Sequence, residues 1–498
     1  MIKNRQQSLL VKALLHWQII TLLLFTTVDL SARVAAELGE SKEGKKHLQK
    51  VKPNVIYILA DDLGYGDLGC YGQQEIRTPT LDRMAAEGIR FTRHYSGSPV
   101  CAPSRCCLMT GLNTGRAKIR GNSPKVELDE NDTTIATLLK SVGYKTALIG
   151  KWGLGDEGSK GVPSKQGFDY YFGYLNQVRA HNFYPDFLIR NDVRVPIENQ
   201  VVPAIKDNDY SQGLGSASTN KKVYSQELFT KDALEFVENN SEAPFFLYLA
   251  YTLPHANNEF WAAYDEHGME VPDYGIYATK NWPNAQKGLA AMITYLDTEI
   301  GKLRAKLEEL GIEKNTIIIF SSDNGPHSEG NNDSKFFNSS GGLRGQKRDL
   351  YEGGIRVPMI AYWPGTIKPG KVSNHISAFW DVMPTIAEIT GVKAPNKTDG
   401  VSFLPELLGK KQNKHDNLYW EFNEQGGKQA AIQGNWKLVK LDLFRPGRTR
   451  IELYDLEKDP TEQNNVAEQY PDIVERMKAV LVMEHVDDIM FPLDKVEN

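Results

Sequence analysis

The stretch "NVIYILADD" (Asn54 to Asp62) is an unbroken run of β-branched, aromatic and aliphatic residues that stops on two carboxylates. A strand with one face in water alternates apolar with polar side chains. A run without alternation predicts a strand buried on both faces, as in a parallel sheet held between helical layers. The same texture returns in "KTALIGKWG" (Lys145 to Gly153), "PFFLYLAYTLPH" (Pro244 to His255), "NTIIIFSSDNG" (Asn315 to Gly325) and "VPMIAYWPG" (Val357 to Gly365). Helical patterns lie between these runs. "TPTLDRMAAEG" starts at a capping Thr78 and stops at Gly88, and "TTIATLLKSVGY", "SQELFTKDALEFVENN" and a long segment from about Ala285 to Leu310 follow. Strand and helix in alternation over some 340 residues predict an α/β fold with a large, mostly parallel sheet sandwiched by helices.

In such sheets ligands bind where the carboxyl ends of the strands meet. Here those ends carry "ADD", "GK", "PH" and "SSDNG", so polar groups from four strands are predicted to share one rim. After "DVMPTIAEITG" the texture changes. "VKAPNKTDG" has the composition of a linker, "DNLYWEF", "QAAIQGNWKLVKL" and "TRIELYDLE" predict antiparallel strands, and "EQYPDIVERMKAVLVMEH" predicts a closing helix. The expected organisation is a catalytic domain over residues 50–392 and a small C-terminal α+β domain over 393–498.

Residues 1–36 stand apart. Lys3, Arg5 and Lys12 precede the apolar run "ALLHWQIITLLLFTTV", and small residues follow at Val34 to Ala36, the pattern of a secretory signal. Cleaved, it predicts a secreted or periplasmic protein with no stable membrane insertion; kept, it would be an anchor. The composition of the whole 498-residue chain, 41% hydrophobic and 24% charged with a net charge of -5, supplies a sizeable core and no basic footprint for nucleic acid.

Three of the four cysteines fall in "GSPVCAPSRCCLMTG" (Gly97 to Gly111). Four in so long a chain do not make a disulfide framework, although Cys70 is free to pair with Cys106 or Cys107 as far as the sequence tells. Cys101 is placed just before a helix predicted to begin near Pro103 or Ser104, where the positive helix end favours an anion, and Arg105 follows one turn later. Asp61 and Asp62 alone also describe a solvated turn. With Asp323 and Asn324 repeating the arrangement after another buried strand, they form a hard, oxygen-only set that suits Ca²⁺ or Mg²⁺ better than zinc.

The run "CAPSRCCLMTG" resembles the signature of the type I, formylglycine-dependent sulfatases of the alkaline phosphatase superfamily, including arylsulfatases and N-acetylgalactosamine sulfatases. The resemblance takes in "ADDLGYGDLGCYG", "TPTLDRMAAEG", "IGKWGLG", "SSDNGP", "GQKRDLYEGGIRVP" and "ELYDLEKDPTEQNNVAE", in order, over about nine-tenths of the chain. It implies that Cys101 is oxidised to formylglycine by a maturase acting on the unfolded chain. It also implies a metal site of Asp61, Asp62, Asp323, Asn324 and the modified Cys101, and a sulfate site of Arg105, Lys151, His255 and Lys347. The hydrated aldehyde would attack sulfur, His255 would protonate the departing alkoxide, and the second hydroxyl would expel the sulfate.

Two departures stand out. Many relatives read Gly-Lys-Trp-His-Leu-Gly where this chain has Gly153 in place of the histidine, and His327, Arg116 and His181 are the candidate replacements. The histidine strand continues as "PHANNEF", so Asn257, Asn258 and Glu259 are candidates for a sugar pocket or for an ordinary turn. Arg179 and His181 in "QVRAHNFYPDFLIRN" mix cation, imidazole and ring as a carbohydrate face does. "GKWGLG", "PHANNE" and "AHNFYP" resemble a subset of the family directed at galactose-type sulfates, which implies a sulfated saccharide of galactose or N-acetylgalactosamine type as the substrate. A phosphoesterase or phosphonate monoester hydrolase of the same superfamily is the second reading, and a non-catalytic binding protein the third.

Overall fold

A computed structural model describes residues 52–123, 127–203, 214–264, 266–445 and 447–493. The export segment lies outside the described residues. Among those described, no helix is long and apolar enough to cross a membrane.

Strands β1 (Asn54–Ala60), β2 (Ile89–Tyr95), β3 (Lys145–Lys151), β4 (Tyr170–Tyr174), β5 (Phe187–Arg190) and β6 (Val193–Pro196) join β9 (Phe245–Ala250) to β13 (Ser377–Ala378) in one sheet. β7 (Gln200–Pro203) and β8 (Ser216–Asn220) pair separately. With β10 (Thr316–Ser322), β11 (Arg356–Tyr362) and β12 (Lys371–Ser373), the order is β12-β2-β11-β10-β1-β9-β3-β4-β5-β6, and β13 flanks β2. The central strands β10, β1, β9, β3 and β4 are parallel. The unbroken apolar run of β1 is explained by its two faces: Val55, Tyr57 and Leu59 enter one core, and Ile56, Ile58 and Ala60 enter another.

"VPMIAYWPG" forms β11, which is antiparallel to both neighbours. No crossover helix follows β10; a loop leaves its carboxyl end and the chain returns at the same rim. "IRFTRHY", not predicted as a strand, forms β2 near the sheet's edge, where partly exposed Arg90, Thr92 and Arg93 interrupt the apolar pattern.

The second sheet, β14 (Leu418–Phe422) to β17 (Arg450–Asp455), is antiparallel throughout. Leu418, Trp420 and Phe422 join the core that also holds Cys106, Cys107 and Met109, while Tyr419, Ala431 and Leu453 pack on the closing helix Pro471–Glu484. Trp420 Nε1 donates to Ser96 O at 2.9 Å, tying this sheet to the segment that leads into Cys101.

The long helix Asn284–Glu309 supplies a cap in trans. Asp297 accepts Thr80 N at 3.0 Å and Leu81 N at 2.8 Å, satisfying orphan donors of the helix Pro79–Glu87. Asp297→Ala is expected to destabilise the protein by about 2 kcal/mol without changing activity at saturating substrate, measured by denaturant titration.

Candidate active site

The register of the central strands brings the four predicted ends together. Ala60 pairs with Ser322, Leu59 with Ala250, and Gly150 with Ala250, so the residues that follow emerge at one level. The ladder continues one step beyond the strands: Asp323 N donates to Ala60 O (3.1 Å) and Asp61 N to Leu253 O (2.9 Å). Gly150 precedes Lys151 because β3 passes too close to β9 for a side chain; a Cβ there would lie 1.9 Å from Ala250 O.

Cys101 is the first residue of the helix Cys101–Thr110, which begins two to three residues earlier than the sequence predicts. Pro103 lies inside the first turn, where its missing N–H has no intrahelical acceptor to lose. All ten residues of this helix are buried. Arg105, one turn on, donates from Nε and Nη2 to Asp323 Oδ2 at 3.1 and 2.8 Å and from Nη1 to Lys151 O at 2.9 Å. Lys151 Nζ reaches Asp61 Oδ2 at 2.7 Å. Ligand atoms of Asp61, Cys101 and Asp323 lie within 4.8 Å of one another.

Asp62 sits at φ +67°, donates its backbone N–H to Asp323 Oδ1 and accepts Asn324 Nδ2 at 2.7 Å. Lys347 Nζ is engaged three ways: by Asp62 Oδ2 (2.9 Å), Glu329 Oε2 (2.9 Å) and His255 Nε2 (3.1 Å). His255 Nδ1 lies 2.7 Å from Ala256 O. A carbonyl only accepts, so Nδ1 carries the proton and Nε2 presents its lone pair to Lys347. Burial and the Lys347 charge push the His255 pKa well below its ordinary value.

Burial alone would raise the pKa of Asp61, but Lys151 and Arg105 overcome it and hold the carboxyl well below the usual range. Asp323 goes the other way: burial and the Asp61 charge push it up to about 7 in spite of Arg105. The two short Arg105 bonds have the geometry of an ion pair; burial is the main cause of the upward push, and the crowding of Asp61 and Asp62 adds a part that a bound cation would relieve. Two further observations fit a metal. Asp61 Oδ1 and Asn324 Oδ1 are buried oxygens with no hydrogen-bond partner, and the carboxylate and amide oxygens around them form a hard donor set.

The other cysteines are packing groups. All four are free, so Cys70 makes no disulfide. Burial pushes the Cys106 thiol up to about 11 and the Cys70 thiol up to about 12. The Cys101 thiol is also raised by burial, more than Lys151 offsets, which disfavours an unmodified thiolate.

The sulfatase family model matches residues 53–392, from the first strand to the end of the helix Val382–Thr390. The chain belongs to the sulfatase family. As a sulfatase it is a sulfuric ester hydrolase. A second family model, of the C-terminal part of N-sulphoglucosamine sulphohydrolase, matches residues 345–487. The sulfatase is 31% identical to the N-acetylgalactosamine-6-O-sulfatase of Bacteroides thetaiotaomicron, over 86% of this chain and 92% of that protein. It is 31% identical to arylsulfatase G of Rattus norvegicus, over 88% of this chain and 81% of that protein. Among solved structures it resembles Ps i-CgsB in complex with k-i-k-neocarrahexaose, with a TM-score of 0.70, 28% identity, and coverage of 86% and 92%.

Seen against its relatives, the sulfatase's Gly153 lies at φ +78°, and a Cβ there would meet Gln177 Oε1 at 2.9 Å. Of the candidate replacements, Arg116 is turned away: its guanidinium is held by Asp399 (2.8 Å) and Glu484 (2.5 Å). His181 and His327 instead flank His255, with ring centroids at 4.5 and 6.0 Å. The side chain that hydrogen-bonds the Cys101 thiol is Asn122, whose Nδ2 donates to Sγ at 3.8 Å while its Oδ1 accepts Ala102 N at 3.2 Å.

The predicted sugar residues divide. His181 stays at the site, oriented through Nδ1 by Glu259 Oε2 at 3.0 Å. Arg179 is placed over the Phe187 ring at 4.9 Å. Asn257 is buried, with Oδ1 capping Phe260 N and Nδ2 donating to Glu270 Oε2, so its amide builds the fold rather than lining a pocket. Glu329 was not predicted. It joins Lys347, Arg348 and Asn258 in one cluster, and it sits in a loop without periodicity where no sequence pattern marks it.

Proposed function

We propose that this sulfatase hydrolyses sulfate esters on a galactose- or N-acetylgalactosamine-type glycan, using a formylglycine made from Cys101 and a divalent ion, Ca²⁺ or Mg²⁺. The observation that carries the reading is the convergence of Cys101 with Asp61 and Asp323 at the head of the Arg105 helix. Sulfatases generally use a formylglycine and a divalent metal. Asp61, Asp62, Asp323 and Asn324 would hold the ion, which with the hydrated aldehyde would supply an acidified hydroxyl as nucleophile toward sulfur.

The chain's own residues account for the remaining work. Arg105 pins Asp323, and Lys151 pins Asp61, so the carboxylates cannot turn away from the rim. Lys151 and Lys347 are buried cations that offset negative charge on the sulfonate oxygens as it shifts. His255 Nε2 and Lys347 Nζ share a hydrogen bond at 3.1 Å, and this pair would supply the proton that the departing sugar oxygen needs. His181, stacked on His255, fixes the ring plane on the sugar side.

The relatives' names support the saccharide: one is an N-acetylgalactosamine-6-O-sulfatase, and one neighbour was solved with a carrahexaose. Export, on the strength of residues 1–36, would bring the enzyme to such polymers, and a maturase would meet the chain before it folds.

The test is a screen of defined sulfated mono- and oligosaccharides beside aryl sulfate and aryl phosphate, using protein produced with a maturase. Turnover of a galacto-configured sulfate ester, loss of activity in a chelator with recovery on adding Ca²⁺ or Mg²⁺, and the mass of a CHO group replacing CH₂SH in the Cys101 peptide are the expected results. Preference for aryl phosphate, or an unmodified Cys101 in active enzyme, would overturn the reading.

A further inference from the structure

The helix Asn258–Tyr264 begins three residues after His255 and is tied to the site by its first two side chains. Asn258 Nδ2 donates to Glu329 Oε2 at 3.1 Å, the oxygen that also accepts Lys347, and Glu259 holds His181. Residues three apart share a helix face. Trp261 therefore lies one turn above Asn258, on the side that meets Glu329, and Tyr264 follows one turn later, rotated toward Phe260 with ring centroids 5.0 Å apart. The opposite side is sealed by Phe260, which is buried and carries Lys221 Nζ over its ring at 3.7 Å. Trp261 is 43% exposed and Tyr264 40%. Tyr264 also packs on Phe260, but Trp261 makes no ring contact among the described residues, and an indole so far in water on a seven-residue helix gains little for the fold by being there.

Resting on the carbohydrate reading, we infer that Trp261 and Tyr264 form a stacking platform for the sugar rings of the substrate beyond the sulfated residue. The direction follows from the chemistry. Cys101, Arg105 and Lys151 gather at the sulfur side, while His255 and Lys347 mark the oxygen that leaves with the sugar. A helix that starts beyond His255 and anchors on the Lys347–Glu329 contact extends along the leaving-group side. Pyranoses present a polar rim and an apolar C–H face, and indole and phenol rings are rigid flat partners for that face. Asn258 and Glu259 are thus bracing residues, and the rings one and two turns on are the contacts.

The experiment compares Trp261→Ala, Tyr264→Ala and Trp261→Phe in the full-length matured enzyme. Substrates are a 6-sulfated N-acetylgalactosamine-containing tetrasaccharide, a sulfated galactan tetrasaccharide and 4-nitrophenyl sulfate. Trp261→Ala should raise KM for the hydrolysed tetrasaccharide about tenfold, with kcat within about twofold, and leave aryl sulfate turnover within about twofold. Trp261→Phe should recover most of the loss, which a merely structural role would not produce. Equal effects on both substrates, or none on either, overturn the platform while leaving the sulfatase intact. A change of oligomeric state without a change in KM makes the stripe a subunit contact instead. If wild type cleaves aryl sulfate but neither tetrasaccharide, the carbohydrate reading falls and the platform with it.

Discussion

Cys101→Ala is expected to lower sulfate ester hydrolysis by about 10⁴-fold or more while the protein stays folded. The thiol is the first side chain of a helix whose other nine residues are all buried, and the hydrogen bond it accepts from Asn122 is long, at 3.8 Å. Removing one sulfur there costs about 1 kcal/mol of packing, a small part of the stability of so large a core. The chemistry has no substitute, because burial raises every other thiol on the helix and disfavours thiolates. Cys101→Ser separates attack from release. A serine hydroxyl can displace the alkoxide once, but its sulfate ester has no second hydroxyl to expel the group. The expected result is a protein heavier by one sulfonate with no steady-state turnover, read by intact mass. Alanine variants that keep activity within tenfold would remove Cys101 from the mechanism.

The second large effect concerns Asp323. Its carboxylate meets Arg105 through two bonds, both side chains are fully buried, and its other oxygen holds the Asp62 backbone N–H. Asp323→Ala strips the buried Arg105 guanidinium of its two short carboxylate bonds and leaves it Lys151 O and the longer, 3.6 Å contact with Asp61, which Lys151 already engages. Losing about 3–5 kcal/mol of stability and essentially all activity is the expected outcome, seen in denaturant melts and in metal binding. The double replacement Arg105→Leu with Asp323→Leu removes both charges. It should regain much of the stability and none of the activity, since the helix no longer offers a cation to sulfonate and the rim has lost a metal ligand. A double variant as unstable as the single one would mean that the pair supports the fold by shape rather than by charge.

The strands and their ends were legible because both signals are local. A run such as Asn54 to Ala60 can only be buried on both faces, and a parallel sheet must present its carboxyl ends together. Asp61, Lys151, His255 and Asp323 were found that way, each as a polar residue at or just past the end of an apolar run. Asn257 obeys the same local rule and does something else, because its amide fits the gap between Phe260 N and Glu270. Glu329, Asn122 and the Trp261 stripe carry no such mark.

By itself, the sequence determined the sheet, its rim and the cysteine helix, since burial period and strand order are properties of neighbours along the chain. Only the tertiary structure decided which groups touch. It directed Arg105 to Asp323, pointed the His255 lone pair at Lys347, put Asn122 at the Cys101 thiol, and drew Arg116 away to Glu484. Those choices depend on which loops come within 3 Å of each other, a distance set by the packing of segments hundreds of residues apart.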